Sequence, residues 1–392
     1  MAQVTLQPGA KQKGSYLPLL KDKTVAVFAN QTSLVDGKHL VDMLLESGVK
    51  IKNIFSPEHG FRGMADAGEH VGSSIDKATK LPIISLYGDH KKPTATELEG
   101  IDILIFDIQD VGLRYYTYIS SLQYFIETAL ENNKPLIILD RPNPNASYID
   151  GPVLEKPFTS FVGLQPIPIV YGMTIGEYGL MLAGEGWLNE PANKVYSKLK
   201  STGEAKDFIR VIPCKYYDHT SYFQPPVKPS PNLPNMRSIE LYPSLCFFEG
   251  TEISLGRGTD KPFQLYGHPS FPDTLFSFTP ESTDGAKNPP LKDKRCYGYD
   301  LSKRTSGEKK QINLSYLLNA YNLFPDKDNF FIRPKKGNPA TSDYFFNKLA
   351  GNDQLMWQVM NGKSEAEIRK SWEPGLEAFK IIRKKYLLYA DF

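Results

Sequence analysis

The first 215 residues alternate between short apolar runs and segments whose apolar residues recur at helical spacing. The apolar runs are typical of buried strands and lie at 24–30, 49–56, 81–88, 101–110, 135–142 and 207–214. Helices are predicted at 39–48, 118–133 and 174–188, the last with Thr174 and Glu177 spaced as a capping box. Buried strands that alternate with helices form βαβ units, in which the sheet is parallel and is covered on both faces.

We therefore predict an α/β fold, with a Rossmann-like, doubly wound, mainly parallel sheet domain over residues 1–235. A TIM barrel is the alternative, but it needs eight such units, and the sequence shows about six. Residues 219–236 contain five prolines and predict an extended crossing. Beyond it we expect a smaller α+β auxiliary domain, over 236–392, that contributes to the cleft. Its last helix is signalled by the capping-box pair Ser364 and Glu367.

Bulk properties exclude several classes of protein. A formal net charge of +2 argues against a nucleic-acid binder, which needs a basic face. No stretch approaches the roughly 20 apolar residues of a membrane span. The three cysteines show no zinc spacing. No signal peptide is visible at the start of the chain.

Several catalytic motifs are also missing from the sequence. The segment after the first strand, ANQTSLVDG, lacks the glycines of a dinucleotide site, and no phosphate-binding P-loop follows any strand. No GxSxG motif indicates a serine hydrolase. His59, His70 and His90 match no standard zinc spacing. We expect no cofactor and no metal.

Carboxylates follow the strands where a ligand is expected, because open α/β sheets bind ligands outside the carboxyl ends of their strands. Glu58 follows the second strand, Asp107 and Asp110 follow the fourth, and Asp140 follows the fifth. Glycosidases need one protonated carboxyl group beside the scissile oxygen and a second group at the anomeric carbon. For Glu58, its position in the sequence is equally consistent with a catalytic role and with a structural role in capping the helix or loop that follows. Asp107 and Asp140 are also consistent with a structural role at the strand ends.

Four arginines lie in or beside these predicted ligand loops: Arg62, Arg114, Arg141 and Arg257. A guanidinium grips a carboxylate through two parallel hydrogen bonds, so the group indicates an anionic ligand. The structural alternative is pairing with the neighbouring aspartates, which fits Arg141 best.

Five motifs in order resemble one bacterial family. They are FSPEHGFRG, DIQDVGLRYYTYISSL, LDRPNP, DGPVLE and LYPSLCFFEGTEISLGRGTDKPFQLYGHP. The family was long known only as a domain of unknown function and is now associated with exo-β-N-acetylmuramidases of the NamZ type. The resemblance spans nearly the whole chain. It implies a glycosidase that releases N-acetylmuramic acid from the non-reducing end of peptidoglycan fragments, in the periplasm or outside the cell, with a cytoplasmic recycling enzyme as the alternative.

The resemblance and the strand-end argument together give the candidate site residues. Glu58 is the first catalytic candidate, with His59 and Asp110 beside it. The predicted substrate-binding residues are Asn30, Arg62, Arg114, Tyr118, Asp140, Arg141, Glu249 and Arg257.

Two questions stay open at this stage. The substrate's own 2-acetamido group could act as the nucleophile, or Glu249 or Asp110 could supply a second carboxylate. The same arginines and aromatic residues would also serve a protein that captures muropeptides without cleaving them, or a hydrolase of another amino sugar.

Overall fold

The computed structural model describes residues 5–58, 60–61, 72–303 and 309–392. The described strands are β1 (Thr24–Ala29), β2 (Leu34–Val35), β3 (Lys38–His39), β4 (Lys50–Ser56), β5 (Ser74–Ile75), β6 (Pro82–Ser85), β7 (Ile103–Asp107), β8 (Leu136–Leu139), β9 (Ile209–Ile212), β10 (Leu265–His268), β11 (Phe276–Phe278) and β12 (Cys296–Asp300). The described α-helices are α1 (Lys13–Tyr16), α2 (Leu40–Glu46), α3 (Tyr118–Glu131), α4 (Ile175–Gly184), α5 (Glu190–Thr202), α6 (Ala205–Phe208), α7 (Met236–Leu245), α8 (Ser315–Leu323), α9 (Phe345–Ala350), α10 (Gln354–Met360) and α11 (Glu365–Arg383).

Seven strands form the main sheet, in the order β5-β6-β4-β1-β7-β8-β9. Every neighbouring pair is parallel except the edge pair β5–β6. The chain starts in the middle at β1, winds outward through β4 and β6, and then returns to add β7, β8 and β9 on the other side. This confirms the predicted doubly wound α/β fold. The winding reverses between β1 and β7, so the ligand crevice is expected at their carboxyl ends.

The central strands are apolar on both faces because both faces of the sheet are covered. In β1, Val27 belongs to one apolar cluster and its neighbour Phe28 belongs to the other. Phe28 stacks on Phe106 of β7, with ring centroids 4.9 Å apart, and meets Phe125 of α3 at 5.1 Å. Each strand therefore contributes alternate side chains to two separate cores, which holds its carboxyl end at a fixed position.

The helix that follows β8 in the main domain begins where the sequence predicts. Thr174 accepts a hydrogen bond from the backbone N–H of Glu177, and the Glu177 side chain accepts one from the Thr174 N–H, so the predicted capping box is present. The same reciprocal pair forms at Ser364 and Glu367, where α11 begins.

A separate C-terminal domain contains a three-stranded antiparallel sheet, in the order β10-β12-β11, together with helices α7 to α11. The predicted boundary between residues 235 and 236 falls at the start of α7 and stays a prediction. Within the described ranges, no helix is both long and apolar enough to cross a membrane.

Candidate active site

The corner after β4 presents Glu58 at the carboxyl edge of the sheet. β4 ends at Ser56, and Pro57 follows it. Gly60 has a φ of +72°, which a residue with a Cβ adopts only at a cost, and its N–H donates to the carbonyl of Pro57 at 3.0 Å. Gly60 therefore turns the chain directly after the corner that carries Glu58. The candidate residues His59 and Arg62 lie outside the described residues.

Two hydroxyl groups face the carboxylate of Glu58. Tyr87, after β6, donates a hydrogen bond to Oε1 of Glu58 at 2.9 Å. Thr117, just before α3, has its Oγ1 3.5 Å from Oε2 of Glu58. Burial and the adjacent charge of Glu58 raise the pKa of Tyr87, so its hydroxyl stays protonated and remains a donor.

Tyr118 lies near both predicted catalytic carboxylates, since the charges of both act on it. Burial, together with the negative charges of Glu58 and Asp110, raises the pKa of Tyr118. The Asn30 amide, after β1, donates to the Tyr118 hydroxyl at 2.9 Å. The structure thus brings four of the predicted residues, Asn30, Glu58, Asp110 and Tyr118, into one neighbourhood at the carboxyl ends of the adjacent strands β4, β1 and β7.

Asp110 is almost fully buried at this point. Its Oδ2 accepts hydrogen bonds from the Gly112 N–H at 2.7 Å and from the Tyr171 hydroxyl. Its Oδ1 is buried and has no hydrogen-bond partner among the described residues. Burial raises the pKa of Asp110 to about 6, although these hydrogen bonds act in the opposite direction. A carboxyl group of this kind can hold a proton near neutral pH.

The proline-rich segment covers part of this neighbourhood. The carbonyl oxygen of Pro229 accepts hydrogen bonds from the Tyr116 hydroxyl at 2.7 Å and from the Tyr118 hydroxyl at 3.4 Å. The amide of Gln31 also donates to this carbonyl, at 3.2 Å. Asn30 and Tyr118 are therefore buried beneath the crossing segment, and their direct contact with a substrate stays a prediction.

Asp140 and Arg141 make structural contacts in this fold, and their role as substrate-binding residues stays a prediction. Arg141 donates two hydrogen bonds to Asp107, from Nε at 2.6 Å and from Nη2 at 2.8 Å. Asp140 accepts from the Thr174 hydroxyl at 2.7 Å, from the Gly176 N–H at 2.8 Å, and from Tyr389. Neither side chain offers a surface to a ligand.

Arg114 likewise makes structural contacts, and its predicted role in substrate binding is untested. It is 0% exposed. Its Nη1 donates to the carbonyls of Pro152 and Ile167, both at 2.7 Å. Its Nη2 donates to the carbonyls of Leu349 and Ala350, at 2.8 and 2.7 Å. The guanidinium therefore connects segments of the two domains and does not face the crevice.

Glu249 and Arg257 line a separate groove of about 780 Å³ in the C-terminal domain. They form an ion pair, and the Arg257 guanidinium also lies 5.0 Å from the centre of the Phe263 ring. Their side chains remain 22% and 19% exposed. Nε and Nη1 of Arg257 make no hydrogen bond within the part of the chain that the structure describes. This arginine can therefore still receive an anion.

A line of aromatic side chains runs from the crevice toward this groove. Tyr118 meets Tyr116 with ring centroids 4.7 Å apart, and Tyr116 meets Tyr242 at 6.1 Å. After burial, the largest effects on the pKa of Tyr242 come from Cys246 and Glu249, which raise it, while Arg257 lowers it. These contacts connect Tyr118, in the crevice, to Tyr242, which feels the charges of the groove residues Glu249 and Arg257.

Tyr87 and Thr117 are the residues near Glu58 that were not assigned a role from the sequence. A signal for Tyr87 was present, because it lies at the carboxyl end of the third predicted strand, at the edge from which Glu58 was chosen. Among the described residues, no group of three or more His, Cys, Asp and Glu side chains is placed to hold a metal ion.

The sequence matches the two profiles of one family. The profile described as exo-beta-N-acetylmuramidase NamZ, N-terminal, matches residues 25–237, and its C-terminal counterpart matches residues 240–389. A relative from Bacillus subtilis (strain 168), the peptidoglycan beta-N-acetylmuramidase NamZ, is 40% identical over 393 residues. That alignment covers 95% of this chain and 89% of the relative.

Two crystal structures from Bacteroides fragilis NCTC 9343, both of DUF1343 family proteins, share the fold. The first has a TM-score of 0.86 and 46% sequence identity, and it covers 99% of this chain and 100% of its own. The second has a TM-score of 0.79 and 27% identity, with the same coverage of both chains. On these matches, which extend over nearly its whole length, the chain belongs to the NamZ family of exo-β-N-acetylmuramidases.

Proposed function

We propose that this protein is a glycoside hydrolase that releases N-acetylmuramic acid from the non-reducing end of peptidoglycan fragments. The observation that carries the proposal is the position of Glu58, a half-buried carboxylate on a glycine turn at the carboxyl edge of a doubly wound sheet. The relative from Bacillus subtilis, named as a peptidoglycan beta-N-acetylmuramidase, supports the choice of reaction.

In this mechanism Glu58 acts as the general acid. Its carboxyl group gives a proton to the glycosidic oxygen while the bond from that oxygen to the anomeric carbon breaks. The leaving sugar departs as an alcohol, and Glu58 becomes a carboxylate. The positive charge that develops on the donor sugar must then be met by a second group.

Two groups are candidates for that second role. The 2-acetamido oxygen of N-acetylmuramic acid can attack its own anomeric carbon, as in substrate-assisted glycosidases. Asp110 is the enzymic candidate that shares a neighbour with Glu58, since the charges of both carboxylates act on Tyr118. Asp110 is only 2% exposed. It would reach a substrate only if the proline-rich segment that covers Tyr118 moves. We therefore favour the acetamido group as nucleophile. Its oxygen bonds to the anomeric carbon as the leaving sugar departs, and water then attacks that carbon, reopens the ring and gives up a proton to Glu58.

A cationic side chain in the cleft is needed to bind the lactyl carboxylate of the substrate. Arg114 and Arg141 are committed to carbonyls and to Asp107. Of the four predicted arginines, Arg257 is the one in the described residues that keeps donors for a ligand, and Arg62 lies outside them. We assign carboxylate binding to Arg257.

The decisive experiment compares two disaccharides that differ only in the order of their sugars. One carries N-acetylmuramic acid at the non-reducing end, and the other carries N-acetylglucosamine there. Mass spectrometry of the products should show free N-acetylmuramic acid from the first and no cleavage of the second. Cleavage of the second alone indicates another hexosaminidase. Tight binding of the first without cleavage indicates a muropeptide-binding protein.

We also propose that the enzyme works in the periplasm or outside the cell, because its substrate is a fragment of the cell wall. A cytoplasmic enzyme that recycles imported fragments is the alternative. Antibody detection in cell fractions decides between them, and enzyme that is found only in the cytoplasmic fraction contradicts the first location.

A further inference from the structure

A pair of adjacent strands brings Tyr87 to Glu58. β4 and β6 are parallel neighbours, and Ser56 at the end of β4 is paired with Ser85 at the end of β6. Glu58 and Tyr87 each lie two residues beyond this last pair. The Leu86 N–H donates to the carbonyl of Ser56 at 2.8 Å, which extends the pairing toward the crevice. The register of the sheet therefore sets the separation of the two side chains.

We infer that Tyr87 is a positioning residue for the general acid. Its hydroxyl donates to Oε1 of Glu58 at 2.9 Å and fixes which oxygen of the carboxyl group faces away from the leaving sugar. The inference rests on the proposed function, in which Glu58 protonates the leaving group. Neither the family match nor the sequence motifs assign a role to Tyr87.

The direction of this hydrogen bond decides which oxygen carries the catalytic proton. Tyr87 has a single hydroxyl proton, and it stays on the ring oxygen because burial and Glu58 disfavour the phenolate. Oε1 of Glu58 is thus an acceptor throughout the cycle, and the proton transferred to the substrate belongs to Oε2. The Thr117 hydroxyl lies 3.5 Å from Oε2.

The hydrogen bond from Tyr87 to Glu58 also favours the proton transfer. As the bond between the anomeric carbon and the glycosidic oxygen breaks, its electron pair stays on that oxygen, which takes the proton from Oε2. Negative charge then appears on the Glu58 carboxylate, and a hydrogen bond to an ionised acceptor is stronger than one to a neutral acceptor. The Tyr87 hydroxyl therefore stabilises the product of proton transfer more than its starting state.

The test is Tyr87→Phe, assayed on two substrates that differ in their need for an acid. One is the N-acetylmuramyl-N-acetylglucosamine disaccharide, whose sugar leaving group must be protonated. The other is a 4-nitrophenyl β-N-acetylmuramide, whose leaving group departs with little help. We expect kcat to fall about tenfold or more on the disaccharide and less than about threefold on the nitrophenyl glycoside, with KM unchanged.

The ratio of the two kcat values is the quantity to report. Both are measured on one preparation, so incomplete folding lowers them equally and leaves the ratio unchanged. Tyr124→Phe is the matched control, since it also removes one tyrosine hydroxyl. Tyr124 lies on helix α3, and its ring stacks on Phe161 with the ring centroids 6.1 Å apart. We expect its ratio to equal that of the wild type. An equal loss on both substrates, or no loss on either, overturns the role of Tyr87.

Glu58→Gln on the same two substrates separates this inference from the proposed function. If Glu58→Gln keeps full activity on the disaccharide, or if the wild type cleaves neither substrate, the proposed function itself fails. If Glu58→Gln loses the disaccharide activity while Tyr87→Phe keeps it, only the inference about Tyr87 is overturned.

Discussion

Arg114 donates a 2.8 Å hydrogen bond to the carbonyl oxygen of Leu349, a residue 235 positions further along the chain. Three more carbonyls accept from the same guanidinium, so one buried side chain satisfies four backbone groups. Lysine has a single nitrogen and cannot span them. We predict that Arg114→Lys lowers the free energy of unfolding by about 3 kcal/mol, because buried carbonyls lose their donors. Urea unfolding followed by circular dichroism measures this.

The control for that prediction is Arg210→Lys. Arg210 pairs with Asp207 on the surface of the protein, where ion pairs contribute little. We expect its unfolding midpoint to match that of the wild type. If Arg114→Lys unfolds like the wild type but loses affinity for the substrate, then Arg114 binds substrate and the structural role is contradicted.

The buried pair Asp107–Arg141 gives a second prediction. Removing the arginine by Arg141→Met leaves an uncompensated charge on Asp107, which is fully buried, and we expect a loss of about 3–5 kcal/mol in unfolding free energy. The double variant Asp107→Asn/Arg141→Met should recover part of this loss, since no unpaired charge remains. A double variant less stable than Arg141→Met contradicts the account.

The third prediction concerns pH and Asp110. Its pKa is raised to about 6 in the folded protein, above the value of about 3.9 expected when the chain is unfolded. Between about pH 4 and 6 the folded state therefore binds more protons at this group, and the contribution of Asp110 to stability falls as the pH rises. Asp110→Asn lacks this dependence. Its stability relative to the wild type should rise by about 1–3 kcal/mol across that window.

Urea titrations of the wild type and of Asp110→Asn at several pH values from 4 to 7 give the difference between their free energies of unfolding. A difference that stays constant across the window shows that Asp110 has an ordinary pKa. It would also remove the case for Asp110 as a group that holds a proton near neutral pH.

Most of the fold could be predicted from the sequence, because buried strands and capped helices leave local patterns. The spatial order of the strands left no such pattern, since it depends on which side each crossover takes. The surface helix Glu190–Thr202 was missed because most of its residues are polar and only Ala192 is buried, so it shows no clear apolar face. The Asn189 cap, which accepts from the Ala192 N–H, and the proline that follows Glu190 were signals that could have located it.

The candidate site was harder to predict, and Arg114 and Tyr87 show why. Sequence places Arg114 in a ligand loop but does not show where its side chain points, and the carbonyls it contacts come from distant segments. Tyr87 and Glu58 meet because Ser56 and Ser85 are in register, and register is a property of the folded sheet. The strand-end rule placed Glu58 and Tyr87 at one edge of the sheet, while side-chain direction decides which residues reach that edge.

The fourth prediction tests the assignment of carboxylate binding to Arg257. N-acetylmuramic acid and its lactyl amide are compared as competitive inhibitors. The wild type should bind the acid about tenfold more tightly than the amide, which corresponds to about 1.4 kcal/mol for a hydrogen-bonded ion pair. Arg257→Gln should lose this discrimination. Glu249→Gln, which removes the partner and keeps the guanidinium, should retain it. Unchanged discrimination in Arg257→Gln contradicts the assignment.

We assign Glu58 as the acid of a muramidase. The most direct measurement is kcat/KM of the wild type and of Glu58→Gln on the disaccharide with N-acetylmuramic acid at its non-reducing end. We predict a loss of about a hundredfold or more in the variant, with an unchanged unfolding midpoint, because glutamine keeps the shape of the side chain and cannot donate a catalytic proton. A Glu58→Gln enzyme with wild-type kcat/KM would contradict the account.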